Sequence, residues 1–311
     1  MHVAEGDSWL EWSGPPDRRR VLVFHRWHPR FAQELADKRP SEVVLFNGNE
    51  WGDFSYLHPL KDSLLTLEVA AAEDYSGLMP LRALERLVLR AAPRRLGMFD
   101  LAAFSHLLEV DLCWYPKYRL PLFVGPRLRA LRLYDAPVQS VAELGPSSTL
   151  EALQLDNSRK LSSLEGVQQL PKLRELRVGP CLTTLDISAV GACKQLKQLR
   201  IVSRRDVVHM HELAHLRQVE RVEIDADATY TFSSFKSLTA LRSLSARGEW
   251  ADDAVSALLA LPQLKSVTLQ PSREGTTALA KRIGLPAVAS RHGFEMSLRG
   301  GVRGLLVLER V

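Results

Sequence analysis

Ten times along the chain the pattern L-x-x-L-x-L returns in phase, with Val, Ile or a single Ala standing in for some leucines. The matches are Leu64/Leu67/Val69, Leu84/Leu87/Leu89, Leu107/Val110/Leu112, Leu128/Leu131/Leu133 and Leu150/Leu153/Leu155. They continue as Leu173/Leu176/Val178, Leu196/Leu199/Ile201, Val219/Val222/Ile224, Leu241/Leu244/Ala246 and Leu264/Val267/Leu269. Successive starts lie 20 to 23 residues apart, which accounts for leucine filling about one position in six. Within each match the L-x-L core alternates at period two, so the leucines share one face of a short strand and the intervening residues share the other. A second apolar set follows, as in Leu161, Leu164, Val167 and Leu170, or Leu182, Leu185, Ile187 and Val190, at spacings that suit a turn or short helix packed over the strand leucines. One such unit cannot bury its apolar face alone. Neighbours must stack, with their strands aligned in parallel.

The segment Leu161 to Val178, LSSLEGVQQLPKLRELRV, carries a family resemblance most clearly. Residues 41–272 resemble the leucine-rich repeat superfamily, in the short-repeat varieties of intracellular proteins. The resemblance implies an α/β repeat solenoid: a curved horseshoe or arc with a parallel, concave β-sheet and capped ends. One departure stands out. The family's usual Asn or Cys at the ninth repeat position is mostly replaced, by Ala72, Ala92, Tyr115, Ala136, Ser158, Arg204, Asp227, Glu249 and Ser272, with Cys181 the exception. A continuous ladder of buried asparagines is therefore excluded, and irregular turns are expected, with water or other polar groups meeting the backbone's needs.

Both ends of a stack need covering. Residues 1–40 are expected to form an N-terminal cap: strands Trp9 to Trp12 and Arg20 to His25 around Gly14-Pro15-Pro16, then a helix near Phe31 to Lys38. Residues 273–311 are expected to form a C-terminal cap: a helix over Thr276 to Ser290 up to its internal Pro286, then a hairpin of Phe294 to Leu298 and Gly304 to Leu308 around Gly300-Gly301. Glu42 to Asn47 reads as a degenerate first repeat strand. These readings make one continuous domain of caps and repeats.

The N-terminus lacks a basic start followed by an apolar stretch, and no uninterrupted apolar run could span a bilayer, so a cytoplasmic, membrane-free protein is expected. Cys113, Cys181 and Cys193 are odd in number and without metal-ligand spacing, and are read as reduced and buried. His211-Glu212-Leu213-Ala214-His215 matches the H-E-x-x-H zinc-peptidase motif, which requires both histidines on one helical face. Repeat register instead aligns His211 with Ser188 and Glu165, and His215 with Ala192 and Gln169, at solvated outer positions. Adventitious metal binding by His209, His211 and His215 fits that placement better than catalysis. No phosphate loop, nucleophile elbow or activated cysteine is present either. The chain is thus read as having no enzymatic activity, cofactor or resident metal.

The outward strand positions hold the candidate binding residues. An acidic, aromatic zone comprises Glu109, Asp111, Trp114, Tyr134, Asp135, Glu151 and Asp156, with Arg132 among them; a basic zone comprises Arg174, Arg177, Lys197, Arg200, Arg204 and Arg205. Both signs plus a few aromatics suit a complementary protein partner. The expected function is a protein–protein interaction module acting through the concave strand face, and analogy with repeat inhibitors suggests an inhibitor or immunity protein that occludes a toxin or enzyme. The alternative is nucleic-acid binding through the basic zone. Against it, a formal charge of +5 on 311 residues is modest, and acids are interleaved on the same face.

Overall fold

A computed structural model describes the chain except residues 1, 6–7, 16–17, 25–27, 47–52, 93–100, 115–125, 236, 272–274, 300–304 and 311. The expected turns at Pro16 and at Gly300-Gly301 lie outside the described residues. The chain divides into two compact units, Met1–Ala136 and Pro137–Val311.

In the first unit, β1 (His2–Glu5), β2 (Ser8–Ser13) and β3 (Arg20–Phe24) form an antiparallel meander. A helix, α1 (Pro29–Lys38), then carries the chain back so that β4 (Glu42–Phe46) pairs with β3 in parallel. Strand β1 was not visible in the residue pattern, because a four-residue edge strand carries too few alternations to declare itself. Helix α1 buries Phe31 and Leu35, an i, i+4 pair that defines its inner face. From β4 the sheet grows in parallel through β5 (Thr66–Val69), β6 (Arg86–Leu89), β7 (Glu109–Cys113) and β8 (Ala130–Tyr134).

The second unit continues the same repeat. β9 (Ala152–Asp156), β10 (Glu175–Cys181), a two-residue β11 (Leu185–Asp186), β12 (Gln198–Val208), β13 (Arg221–Tyr230), β14 (Ser243–Trp250) and β15 (Ser266–Pro271) are followed by β16 (Phe294–Arg299) and β17 (Leu305–Arg310). The sheet order is β9-β10-β12-β13-β14-β15-β17-β16, parallel as far as β15 and antiparallel thereafter. Every repeat strand starts two residues after the first leucine of its match, and neighbours pair like position with like: Glu175 with Gln198, Gln198 with Arg221, Arg221 with Ser243. Phase in the sequence has become register in the sheet. A thinner ladder of parallel bridges runs through Ser140, Ser163, Asp186 and Val208.

The strand leucines are inward as the alternation requires: Leu153, Leu155, Leu176, Leu185 and Leu269 are fully buried. Burial of each such side chain contributes roughly 1.5–3 kcal/mol relative to exposure. Returning segments are short 3-10 turns, such as Val141–Leu144, Val167–Gln169 and Ser188–Ala192, because repeats this short leave little chain for a full helix. Glu143 fastens the first of these by accepting the N–H groups of Gln139 and Ser140 at 2.7 and 3.0 Å. Gly166 sits at φ 104°, and a Cβ there would lie 2.2 Å from the backbone nitrogen of Ala142, so only glycine allows the turns to approach this closely. Later returns are α-helical: α2 (Phe232–Phe235) and α3 (Asp252–Leu259).

Two expectations need correction here. Leu182 does not join Leu185, Ile187 and Val190 in the core; it is 44% exposed, while its neighbour Cys181 takes the inward position. The helix expected over Thr276 to Ser290 is two, α4 (Thr276–Arg282) and α5 (Leu285–Arg291). Gly284 turns the chain at φ 57°, and Pro286 starts the second helix, where its missing N–H needs no partner. No helix among the described residues is long and apolar enough to cross a membrane.

Candidate functional site

Residues between the inward leucines form the outer face of each sheet, and the candidate residues fall into one patch in each unit. In the first unit, Glu68, Val88, Asp111 and Arg132 stand side by side on β5 to β8. Arg90 follows β6 and reaches both ways, its Nε 2.9 Å from Glu68 and one terminal nitrogen 3.6 Å from Asp111. Its guanidinium thereby spans Val88, which is only 1% exposed despite its outward position. Asp111 also meets Arg132 at 3.8 Å, and the Arg132 guanidinium lies 5.7 Å from the ring centre of Tyr134, which is 44% exposed. Glu109 pairs with Arg86 at 3.2 Å. The acidic zone is thus a chain of alternating charges ending on an accessible aromatic ring.

Trp114 does not belong to this surface. It is 8% exposed and lies inside, because the alternation that buries Val110 and Leu112 carries on to residue 114. Cys113 points outward beside it; burial, together with the charges of Asp135 and Asp111, pushes its thiol above the ordinary value, against a lowering contact with the Ala92 backbone. Burial alone pushes Cys181 up to about 12, and burial, opposed by the Lys194 charge, holds Cys193 at about 11, which makes both poor nucleophiles.

In the second unit four of the six basic candidates, exposed at 39 to 56%, each have an acid beside them: Arg174 meets Glu151 at 3.7 Å, Arg177 meets Glu175 at 2.5 Å, Lys197 meets Glu220 at 3.7 Å and Arg200 meets Glu223 at 3.3 Å. Three of these pairs run between neighbouring strands, so register matches opposite signs across the sheet. Such exposed pairs add about 0–1 kcal/mol each to stability. Their larger effect is to neutralise much of what the sequence presented as a basic zone. Asp156 is held within its own strand by Gln154, whose side-chain amide donates to both carboxylate oxygens at 3.1 and 2.9 Å.

A groove of about 280 Å³ opens on this face, lined by Arg177, Gln198, Arg200, Arg221, Glu223, Ser243 and Ser245. It exists because long side chains on β10 to β13 give way to serines on β14. Arg221, Ser243 and Ser245 were not among the candidates from sequence; the signal available was the drop in side-chain size at the third and fifth positions of the Leu241 repeat. A second cavity, of about 440 Å³, lies beyond the main run of β12 to β14 and is rimmed by Asp206, His209, Asp227 and Glu249. Asp227 there is engaged by Arg247 at 2.8 Å, and the same guanidinium holds Asp225 outside the cavity, also at 2.8 Å.

The H-E-x-x-H string lies in a 3-10 turn, Met210–His215. In that geometry, residues four apart diverge by about a third of a turn. His211 and His215 are more than half exposed, and both face the carboxylate between them, Glu212, at 3.3 and 3.8 Å. His209 instead meets Asp186 at 2.9 Å. Burial raises the Asp186 carboxyl, but hydrogen bonds from Ser188 and His209 outweigh it and hold the group below its usual value. Among the described residues no cluster of His, Cys, Asp or Glu is placed to hold a metal ion.

No protein-family model and no curated protein matches the sequence. Solved structures do. An internalin from Listeria monocytogenes, internalin F, superposes with a TM-score of 0.56 at 18% identity, covering 75% of this chain and 74% of that one. Internalin C2 from the same organism gives 0.46 at 19% identity, over 70% of this chain and 83% of its own. A leucine-rich repeat protein from Leptospira interrogans gives 0.45 at 13% identity, over 77% and 75%. We rest the likeness on the first of these, and at this identity it speaks to fold alone. Phase-locked leucines, in-register parallel strands and that superposition together make the chain a leucine-rich repeat protein in fold.

Proposed function

We propose that the chain is a binding module for a protein partner, working through the outer face of the strands and carrying out no chemistry of its own. The observation that supports this most is the outer face of the second unit. Side chains of both signs stand there in fixed register across β10, β12 and β13, with a groove left open among them. Solenoid proteins commonly bind through such repeated faces. Alternating charge favours a complementary protein surface over a polyanion, because a nucleic acid would meet Glu175, Glu220 and Glu223 in the same rows as the arginines. On this reading the terminal hairpins and helices act as caps, the partner-binding set is Glu109, Asp111, Arg132, Tyr134, Asp156, Arg174, Arg177, Lys197 and Arg200, and binding works by steric and electrostatic occlusion, as an inhibitor or immunity protein would. The three free thiols suit the cytoplasm.

The test is affinity capture with mass spectrometry, comparing the intact protein with the double reversal Arg177→Glu/Arg200→Glu. The reversal should weaken capture of one protein about tenfold or more, while circular dichroism shows the same fold. Unchanged capture would move the site off this face.

A further inference from the structure

The groove on the second unit has the chemistry of an anion site, and its contents select one kind of anion. Arg221 stands at its centre on β13, between Gln198 on β12 and Ser243 on β14. It is exposed, and no hydrogen bond or ion pair engages its side chain among the described residues. Its neighbours differ: Arg177 is engaged by Glu175, and Arg200 by Glu223. Ser243 accepts a hydrogen bond from the Ser266 hydroxyl at 3.1 Å, which leaves its own O–H to donate outward. A free guanidinium fork beside a free hydroxyl donor fits a carboxylate, which accepts two parallel N–H bonds and a third from the side.

We propose that this groove receives a single carboxylate side chain from an acidic peptide segment of the partner, with Arg221 as the fork and Ser243 as the lateral donor. The assignment rests on the reading of this face as a protein-binding surface. Glu223, which lines the same groove, is held by Arg200 at 3.3 Å, and Arg177 is held by Glu175, so the groove offers the charge of one open guanidinium, the match for one carboxylate. A doubly charged oxyanion would leave one of its charges uncompensated there. The serines of β14 provide depth: with long side chains at 243 and 245 the groove would fill and Arg221 would be covered.

The experiment uses the full chain and a short, end-blocked peptide of alternating glutamate and glycine, with its glutamine counterpart as control. Titration followed by the arginine Nε resonances should shift Arg221 saturably with the glutamate peptide and not with the glutamine one. Arg221→Gln should weaken binding about tenfold or more, the scale of one charge-assisted contact. Arg221→Lys should restore only part, since it keeps the charge but loses the fork. Arg217→Gln, on the connection before β13, should change nothing. Equal binding of the glutamine peptide, an unaffected Arg221→Gln variant, or inorganic phosphate binding more tightly than the glutamate peptide would each overturn the proposal. Run beside the partner capture, the two ideas separate. Loss of capture on reversing Arg177 and Arg200, with no peptide response at Arg221, sinks this assignment alone; unchanged capture sinks the wider reading.

Discussion

Strands β8 and β9 end after five residues, whereas β12, β13 and β14 run for eleven, ten and eight in repeats of nearly the same length. The difference begins at the eighth repeat position. There the shorter strands have Asp135 and Asn157, in left-handed conformation at φ 59° and 52°. Asp and Asn tolerate that region better than other side chains, so the chain turns and the ninth residue, Ala136 or Ser158, points into the core with under 2% exposure. The longer strands have Ser203, Ala226 and Gly248 at the same position, and the backbone stays extended. Their ninth residues, Arg204, Asp227 and Glu249, consequently reach toward solvent, and pairing resumes further on: Asp206 with Asp227, Thr229 with Glu249, Tyr230 with Trp250. Two solutions to one problem coexist. Without a buried asparagine ladder, the repeats of β8 and β9 turn on a left-handed residue, and those of β12 to β14 satisfy the backbone by prolonging the sheet.

The late solution needs something to cover its longer strands, and removing that cover should have the largest effect. Tyr230 and Trp250 stack at 4.2 Å between ring centres, with Phe235 6.0 Å from Trp250. Trp250→Ala should destabilise the protein by about 3–5 kcal/mol in urea titration. A loss of less than about 1 kcal/mol would show that the strand extensions hold without the stack. The early solution should be less sensitive. Asn157→Ala forces an ordinary side chain into the left-handed turn and should cost about 1 kcal/mol; no cost would mean that the shorter strand is stopped by its neighbours and not by residue eight. The smallest effect belongs to Ser158, whose hydroxyl is fully buried with no hydrogen-bond partner among the described residues. Ser158→Ala should be neutral or stabilising by up to about 1 kcal/mol, because it removes a desolvated donor. Destabilisation instead would indicate an ordered water at that turn.

Much of this comparison was readable from residues. The ninth-position substitutions ruled out an asparagine ladder, whereas the turn at Asp135 was not read from the sequence, which placed that residue in the acidic zone. The resolution by longer strands was not, because an extended segment ending in Tyr230 or Trp250 depends on neighbours that share its extension. The site shows the same division. Outward placement of Arg132, Tyr134, Arg177 and Arg200 follows from period two, and the burial of Trp114 follows from it as well once the alternation is carried one step past β7. Leu182 was misread because a turn breaks the period that predicted it.

Sequence alone determined the repeat, its phase and the identity of nearly every strand residue that faces the core, since periodicity is a local property and stacking multiplies it. Only the tertiary structure decided which charges remain available. Lys197 and Arg200 look basic in one dimension, yet register sets an acid from the next repeat beside each, while Arg221, inconspicuous in the sequence, is left with an open fork because serines stand next to it. Pairing depends on which residues become neighbours across strands about 23 positions apart, and the chain encodes that only through the packing of its leucines.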